Sequence, residues 1–93
     1  MVKHIVVYKL CDGVDKNEAA AFIASKLEPL VGQIPGLLHM EVRACYNGMD
    51  YALYSHFESA EALKNYSEHP LHLAAKQQFK YLIAQRVCAD YEL

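Results

Sequence analysis

The order of hydrophobic patterns along this chain is the feature that most limits how it can fold. Four segments alternate between two faces with a period of two residues, which is typical of β-strands, and two stretches repeat apolar residues at helical spacing. The strand patterns cover residues 2–10, 37–46, 51–57 and 85–92, and the helical patterns cover residues 16–34 and 60–81. The elements therefore follow the order β-α-β-β-α-β.

That order predicts a ferredoxin-like α+β fold with a four-stranded antiparallel sheet. Both crossover connections should be right-handed, so both helical stretches should cover the same face of the sheet. Pro29 predicts a kink or break near Leu27-Glu28, and Pro70 predicts that the second stretch divides into helices over residues 60–67 and 71–81. Asn47-Gly48 predicts the hairpin between the second and third strands.

Length, charge and cysteine spacing limit the class of protein. The 93 residues predict one domain, spanning residues 1–93. The net charge is −2, the basic residues are scattered, and no apolar run could span a bilayer, so we expect neither a nucleic-acid nor a membrane partner. The absence of a signal-peptide pattern and of C-x-x-C spacing favours a reduced, cytoplasmic protein. We predict that Cys11, Cys45 and Cys88 are small buried hydrophobes, because no base lies near them in sequence.

The first strand predicts a partner for the sheet. Hydrophobic residues make up 54% of the chain, above the usual ~45–50%, which suggests a second buried surface. One face of the strand should meet the helices, while the other carries Ile5 and Val7 between Lys3 and Lys9. Leaving that strip in water would be unfavourable by about 25 cal/mol per Å² of apolar area. We therefore predict a two-fold homodimer through the face carrying Ile5 and Val7, with the two sheets forming a barrel-like core.

The segment from Tyr66 to His72 marks where a site would lie. It places one phenol and two imidazoles within two helical turns, at the junction of two helices. With this segment and four other stretches, the chain resembles the stress-responsive A/B barrel (Dabb) family over nearly its whole length. The matching stretches are His4-Ile5-Val6-Val7-Tyr8-Lys9, Ile34-Pro35-Gly36, Phe57-Glu58-Ser59, Tyr66-x-x-His69-Pro70-x-His72 and Asp90-Tyr91-Glu92.

The resemblance implies a dimeric α+β barrel, and most of that family has no assigned reaction. One plant member folds a linear polyketide intermediate by aldol condensation, and the positions that match its catalytic tyrosine–histidine pair are Tyr66 and His72. Tyr51 stands where that cyclase has another histidine, which implies a pocket of different size and polarity.

These residue types suit a cavity between the helices and the sheet. An imidazole at His72 is matched to proton abstraction near neutral pH, and a phenol at Tyr66 could stabilise the enolate oxygen that results. The expected ligand is a small apolar or phenolic compound. The candidate ligand-binding residues are His4, Val6, Tyr8, Tyr51 and His69.

Structural roles stay open for the same histidines. His69 precedes a helix-starting proline and could cap that helix, His72 could bond the end of the preceding helix, and His4 could be a satisfied core histidine. Three functions remain: a small-molecule binding domain without turnover, a cofactor-free acid–base enzyme, and a structural dimerisation module whose cavity is filled by its own side chains.

The sequence predicts no cofactor and no metal site. Glycine-rich phosphate loops and nucleophile-elbow patterns are absent. His69 and His72 straddle a helix break, and no carboxylate lies beside them at a conventional zinc-ligand spacing.

Overall fold

The computed structural model describes all residues, 1–93, as a four-stranded sheet with three α-helices. The strand order is β2-β3-β1-β4, and every neighbouring pair is antiparallel. The predicted ferredoxin-like α+β fold is confirmed. The strands are β1 (Val2–Leu10), β2 (Leu37–Ala44), β3 (Tyr51–Phe57) and β4 (Ile83–Glu92); the helices are α1 (Lys16–Leu27), α2 (Ala60–Glu68) and α3 (Pro70–Gln77), and 3₁₀ turns at Glu28–Leu30 and Lys80–Leu82 follow α1 and α3.

Helix α1 begins and ends where local chemistry requires. The Asp15 carboxylate accepts hydrogen bonds from the backbone N–H groups of Asn17 and Glu18, which satisfies donors that have no partner inside the helix. Pro29 lacks a backbone N–H, so the α-helix ends at Leu27 and continues only as a short 3₁₀ turn. Of the predicted kink or break near Leu27-Glu28, the structure has the break.

The second helical stretch is divided at a single residue. Ser59 caps α2 by accepting from the backbone N–H of Ala62, and α2 ends at Glu68. Pro70 is the first residue of α3, where its missing N–H leaves no bond unmade. The predicted break is confirmed, but α3 ends at Gln77 rather than near residue 81, and a 3₁₀ turn completes the stretch.

Strand β2 departs from its predicted alternation at both ends. Alternation places Leu38 on the same face as Met40, yet the register shifts between Leu37 and His39, so Leu37 is buried and Leu38 is 44% exposed. The strand also ends at Ala44, before the predicted residue 46. The connection to β3 is therefore a six-residue loop over residues 45–50, longer than a tight hairpin turn at Asn47-Gly48.

The sheet has one covered face, one open face and one uncovered edge. Twenty buried apolar residues form a single cluster between the helices and the sheet. Ile5 and Val7 lie half-buried on the opposite, open face, as predicted from the alternation of β1. Strand β4 is exposed from Ala84 to its end, because it lies at the edge beyond the helices. None of the helices has the length and apolar character needed to cross a membrane.

Candidate functional site

A cavity of about 80 Å³ lies between the helices and the sheet, at the junction of α2 and α3. Its apolar walls come from Leu27, Leu53 and Phe79 among others. Seven polar or charged residues also line the cavity and come from both strands and helices: His4, Tyr8, Tyr66, Ser67, His72, Lys76 and Arg86. The cavity therefore combines hydrophobic walls with a few convergent polar groups, as ligand sites do.

The helix break at Pro70 positions Tyr66 and His72 at the junction of α2 and α3. Tyr66 lies in the last turn of α2, His72 lies in the first turn of α3, and their ring centroids are 4.2 Å apart with the planes tilted by 35°. Tyr66 also packs against Phe57 of β3, at 5.1 Å between ring centroids. The two residues named as the catalytic pair are thus in contact on one side of the cavity.

His72 is held by one nitrogen and left open at the other. Its Nδ1 lies 3.3 Å from the Ser67 carbonyl oxygen, which can only accept, so Nδ1 carries the proton. In the neutral ring Nε2 then holds a lone pair. Burial lowers the pKa of His72 below its ordinary value; the Ser67 carbonyl opposes that shift and the charge of Lys76 adds to it. The imidazole is therefore neutral at neutral pH and its Nε2 lone pair is free to accept a proton, while its Nδ1 ties the start of α3 to the end of α2.

Tyr66 is suited to donate rather than to ionise. The side chain is 3% exposed, and burial raises the pKa of its phenol well above the ordinary value. Because the phenol keeps its proton at neutral pH, Tyr66 can donate a hydrogen bond to an oxygen atom held beside His72.

The sheet wall of the cavity is built around Tyr8. Its ring stacks on Tyr51, with centroids 4.4 Å apart and an interplanar angle of 8°. Burial raises the pKa of the Tyr8 phenol, and Arg86, which is opposite Tyr8 in the β1–β4 register, partly opposes that shift. Spacing along the chain does not indicate Arg86 or Lys76, the two cations of the lining. The pairing of β1 with β4 is the signal that brings Arg86 to the site.

His4 reaches the cavity from the centre of the sheet. It is 8% exposed, and its Nδ1 is hydrogen-bonded to the Asp90 carboxylate of β4. The sulfur of Cys88 lies 3.7 Å from the same Nδ1. The prediction that the cysteines are buried is wrong for Cys88, which is exposed because β4 is an uncovered edge, and Cys11 and Cys45 are half-buried.

Three predicted ligand-binding residues do not line the cavity. Val6 is fully buried in the core beneath it. Tyr51 lies behind Tyr8, fully buried, and its hydroxyl has no hydrogen-bond partner. His69 instead caps α3, since its Nδ1 accepts from the Leu71 backbone N–H at 3.1 Å. The first N–H groups of any helix have no partner inside it, and the extended backbone that Pro70 favours at His69 suits a capping residue.

A wider depression lies elsewhere on the surface but offers less chemistry. It measures about 360 Å³, between the start of α1 and Tyr81, and is open to solvent. Its carboxylates are Asp15, which already caps α1, and Glu18. The smaller cavity at the α2–α3 junction is therefore the better candidate for a functional site, because enclosed polar groups converge only there.

Comparison with known proteins identifies relatives over the full length of the chain. The sequence model of the family described as "Stress responsive A/B Barrel Domain" matches residues 2–93. An uncharacterised protein of Streptomyces coelicolor is 35% identical, and the alignment covers 99% of each chain. A dimeric protein of unknown function with a ferredoxin-like fold, from Bacteroides fragilis, is 34% identical with a TM-score of 0.88, covering 99% of this chain and 95% of that chain. An Arabidopsis thaliana protein, 24% identical, shares the fold with a TM-score of 0.86, covering 100% and 95% of the two chains.

Proposed function

Because the chain belongs to the stress-responsive A/B barrel family, we propose that it binds a small oxygen-bearing compound, phenolic or carboxylic, in the cavity beside Tyr66 and His72. The observation that carries the proposal is the convergence of a neutral imidazole and a protonated phenol on one partly enclosed, apolar-walled space. Apolar walls with a few convergent polar groups are the usual lining of a small-molecule site.

Size and charge narrow the class of ligand. A volume of about 80 Å³ is well below the ~300–1,000 Å³ of pockets for drug-sized molecules. The cavity thus admits a single ring or a short chain, with any remainder of the ligand extending through the opening. Lys76 and Arg86 bring positive charge to the lining, which favours a ligand whose oxygen carries negative charge.

Acid–base chemistry is the second candidate function, and the hydrogen bond of His72 favours it. With Nδ1 held by the Ser67 carbonyl, the lone pair of Nε2 is available to remove a proton from a carbon next to a carbonyl group. Tyr66 could then donate to the oxygen on which the negative charge develops. The reaction would need no cofactor, because the proton moves between the substrate and His72.

The polar lining argues against a purely structural module. A cavity filled by its own side chains would not leave a cation, an imidazole and a phenol around a void. His72 does join α2 to α3 through Ser67, so a structural role and a binding role coexist in this residue.

We further propose that two copies of the chain associate through the open face of the sheet. The Bacteroides fragilis relative is dimeric. On this chain, Ile5 and Val7 form the centre of the open face, and Val87 and Tyr91 of β4 remain about half exposed on the same side. Burying this strip against a second copy removes apolar area from water, which is the main driving force of association.

We also propose that the protein is cytoplasmic and forms a single domain. All three cysteines are unpaired, as expected in a reducing compartment. One core cluster joins residues from Val2 to Phe79, as expected of one domain.

Nuclear magnetic resonance titration of the histidine side chains tests the binding proposal. Phenol and benzoate serve as the phenolic and carboxylate probes, added to protein carrying ¹³C-labelled histidine. We expect saturable shifts of the His72 and His4 ring signals, with benzoate tighter than phenol because of Lys76 and Arg86. His72→Ala and Tyr66→Phe should each weaken binding by about tenfold, the loss of about one buried hydrogen bond.

The matched control is His69→Asn, which removes the neighbouring imidazole but keeps a side chain that caps α3. It should bind both probes as the wild type does. If neither phenol nor benzoate shifts the His72 ring signals, the binding proposal is wrong. Shifts that persist unchanged in His72→Ala would place the ligand elsewhere.

A further inference from the structure

Three metal-ligand side chains meet on one side of the β1–β4 pair. His4 is opposite Asp90 in the register and Val6 is opposite Cys88, so His4, Cys88 and Asp90 all project to the helix-facing side of the sheet. The Cys88 sulfur lies 3.7 Å from His4 Nδ1 and 3.7 Å from an Asp90 carboxylate oxygen. His4 Nδ1 and that carboxylate are themselves hydrogen-bonded. One nitrogen, one sulfur and one oxygen therefore surround a single point.

This arrangement is not that of a nucleophilic triad. In a triad the base takes the proton of the nucleophile with one ring nitrogen and is oriented by the acid through the other. Here the sulfur of Cys88 and the carboxylate of Asp90 both approach Nδ1 of His4, so they compete for one atom. The hydrogen bond between His4 and Asp90 accounts for those two residues. The Cys88 thiol can donate a weak hydrogen bond to the same Asp90 oxygen, so all three potential ligand atoms face one another.

Tetrahedral zinc coordination fits two of the three separations. Bonds of about 2.3 Å to sulfur and about 2.0–2.1 Å to nitrogen or oxygen place sulfur about 3.6 Å from each of the other ligand atoms. The observed separations from the Cys88 sulfur are both 3.7 Å. The nitrogen and oxygen would have to separate to about 3.3 Å, which breaks their mutual hydrogen bond. The Asp90 side chain can make this movement because it is 45% exposed on the edge strand.

We propose that His4, Cys88 and Asp90 bind a divalent cation of the zinc class, with solvent completing the tetrahedron. A mixed imidazole, thiolate and carboxylate set suits a borderline-soft ion better than magnesium or calcium, which prefer oxygen ligands. Cys88 would bind as a thiolate and release its proton to solvent, while the proton that His4 Nδ1 donates to Asp90 would move through solvent to Nε2 of the neutral ring, which frees Nδ1 to coordinate. The cation would coordinate Nδ1 of His4. Because His4 also lines the cavity, the cation would lie at the cavity wall.

Spacing along the chain could not reveal this site. Cys88 and Asp90 are separated from His4 by 84 and 86 positions, and only the pairing of the first and last strands brings them together. The proposal does not depend on the ligand cavity being occupied, and its test uses no organic ligand.

Cobalt(II) substitution tests the proposal on the full chain after treatment with a chelator. Cobalt(II) bound by a thiolate gives a charge-transfer absorption in the near ultraviolet, and zinc displaces the cobalt and removes that absorption. We expect one cobalt per chain and a thiolate band in the wild type. Cys88→Ala should lose the band, and Asp90→Asn should weaken zinc binding by about tenfold or more, since even outer-shell partners of a metal are worth about that much.

Cys45→Ala is the matched control, because Cys45 is also an unpaired cysteine but lies in the loop before β3. Its cobalt spectrum and zinc affinity should equal those of the wild type. Cys88 and Asp90 are exposed, so both variants should keep the fold, and circular dichroism checks this. A wild type without a thiolate band, or a band that survives in Cys88→Ala, would overturn the proposal. The proposal would also be overturned if Asp90→Asn bound zinc as tightly as the wild type does.

Discussion

Tyr51 illustrates how a single buried atom can oppose folding. The side chain is fully buried, and its hydroxyl has no hydrogen-bond partner. An unpaired buried polar group costs about 1–3 kcal/mol. Tyr51→Phe keeps the ring stacked on Tyr8 and removes that group, so we expect the free energy of unfolding to rise by about 1 kcal/mol in urea denaturation.

Tyr8→Phe is the comparison that isolates this effect. It removes a hydroxyl of the same stacked pair, but one that interacts with Arg86. We expect no gain in stability from this variant. A lower free energy of unfolding for Tyr51→Phe than for the wild type would show that the Tyr51 hydroxyl is satisfied in the folded protein.

The residues of the candidate site could be predicted only where local rules place them. Alternation of β1 puts His4 and Tyr8 on the covered face, and the break at Pro70 brings Tyr66 beside His72. Arg86 reaches the cavity only because β4 pairs with β1. That pairing depends on the tertiary arrangement of the sheet, so no spacing along the chain indicates it.

At the scale of elements, the loop before β2 must let α2 approach closely. Gly36 has φ +83°, and a Cβ atom there would lie 2.5 Å from the Cβ of Ala62. Gly36→Ala therefore adds a steric clash with α2 to the ~1–2 kcal/mol that a left-handed backbone costs an L-residue. We expect a loss of about 3 kcal/mol or more in the free energy of unfolding, since overpacking adds a further ~1–3 kcal/mol.

Gly32→Ala separates the two contributions. Gly32 has a similar φ of +90°, but an added Cβ would meet nothing within 4 Å. This variant should lose only the backbone contribution of about 1–2 kcal/mol. Equal losses for Gly36→Ala and Gly32→Ala in urea denaturation would contradict the close approach of α2.

Element boundaries were predictable where proline or a capping residue sets them. Pro29 and Pro70 determine breaks that hold whatever the rest of the fold does. The bulge at Leu38 and the six-residue loop before β3 were not predictable in this way. In the loop, the Asp50 carboxylate accepts a hydrogen bond from the backbone N–H of Leu10. This bond between distant parts of the chain favours a longer connection than the two-residue turn that Asn47-Gly48 alone indicates.

At the scale of the whole molecule, the family resemblance from the motifs is confirmed over residues 2–93, and the proposed dimer predicts the effect of a charge on the open face. Val7→Glu places a charge at the centre of the open face. Because an unpaired charge is costly to bury, we expect the dimer to dissociate in sedimentation analysis while the monomer stays folded. Val31→Glu, at an exposed position outside the sheet, is the control and should leave the assembly unchanged. A Val7→Glu protein that remains dimeric would exclude the open face as the interface.

The open face also carries a cluster of titratable groups, which predicts that the dimer depends on pH. His56 of β3 accepts a hydrogen bond from the Lys3 ammonium of β1, 2.6 Å from its Nε2, and the Tyr54 hydroxyl approaches the same atom. His39 of β2 lies 5.4 Å away between ring centroids, and Glu41 bonds to His39. Burial lowers the pKa of His56, the charges of Lys3 and His39 lower it further, and Glu41 opposes the shift.

The direction of the pH effect follows from that lowered pKa. Above the ordinary histidine pKa of about 6.5, His56 is neutral in every state, so the association is at full strength. As the pH falls below about 6.5, the unfolded chain binds the proton more readily than the folded chain does, and a second copy covering His56 would increase that difference. Acidification should therefore weaken both the fold and the dimer.

We expect the dissociation constant of the dimer to rise from about pH 7.5 to about pH 5.5, because protonated His56 would have to be buried beside the Lys3 ammonium. His56→Gln keeps a polar side chain that cannot be protonated in this range, so its dissociation constant should change less. His69→Asn removes a histidine at the α2–α3 junction, away from the open face, and should follow the wild type. A dissociation constant that is independent of pH in the wild type, or equally dependent in His56→Gln, would show that this cluster stays outside the interface.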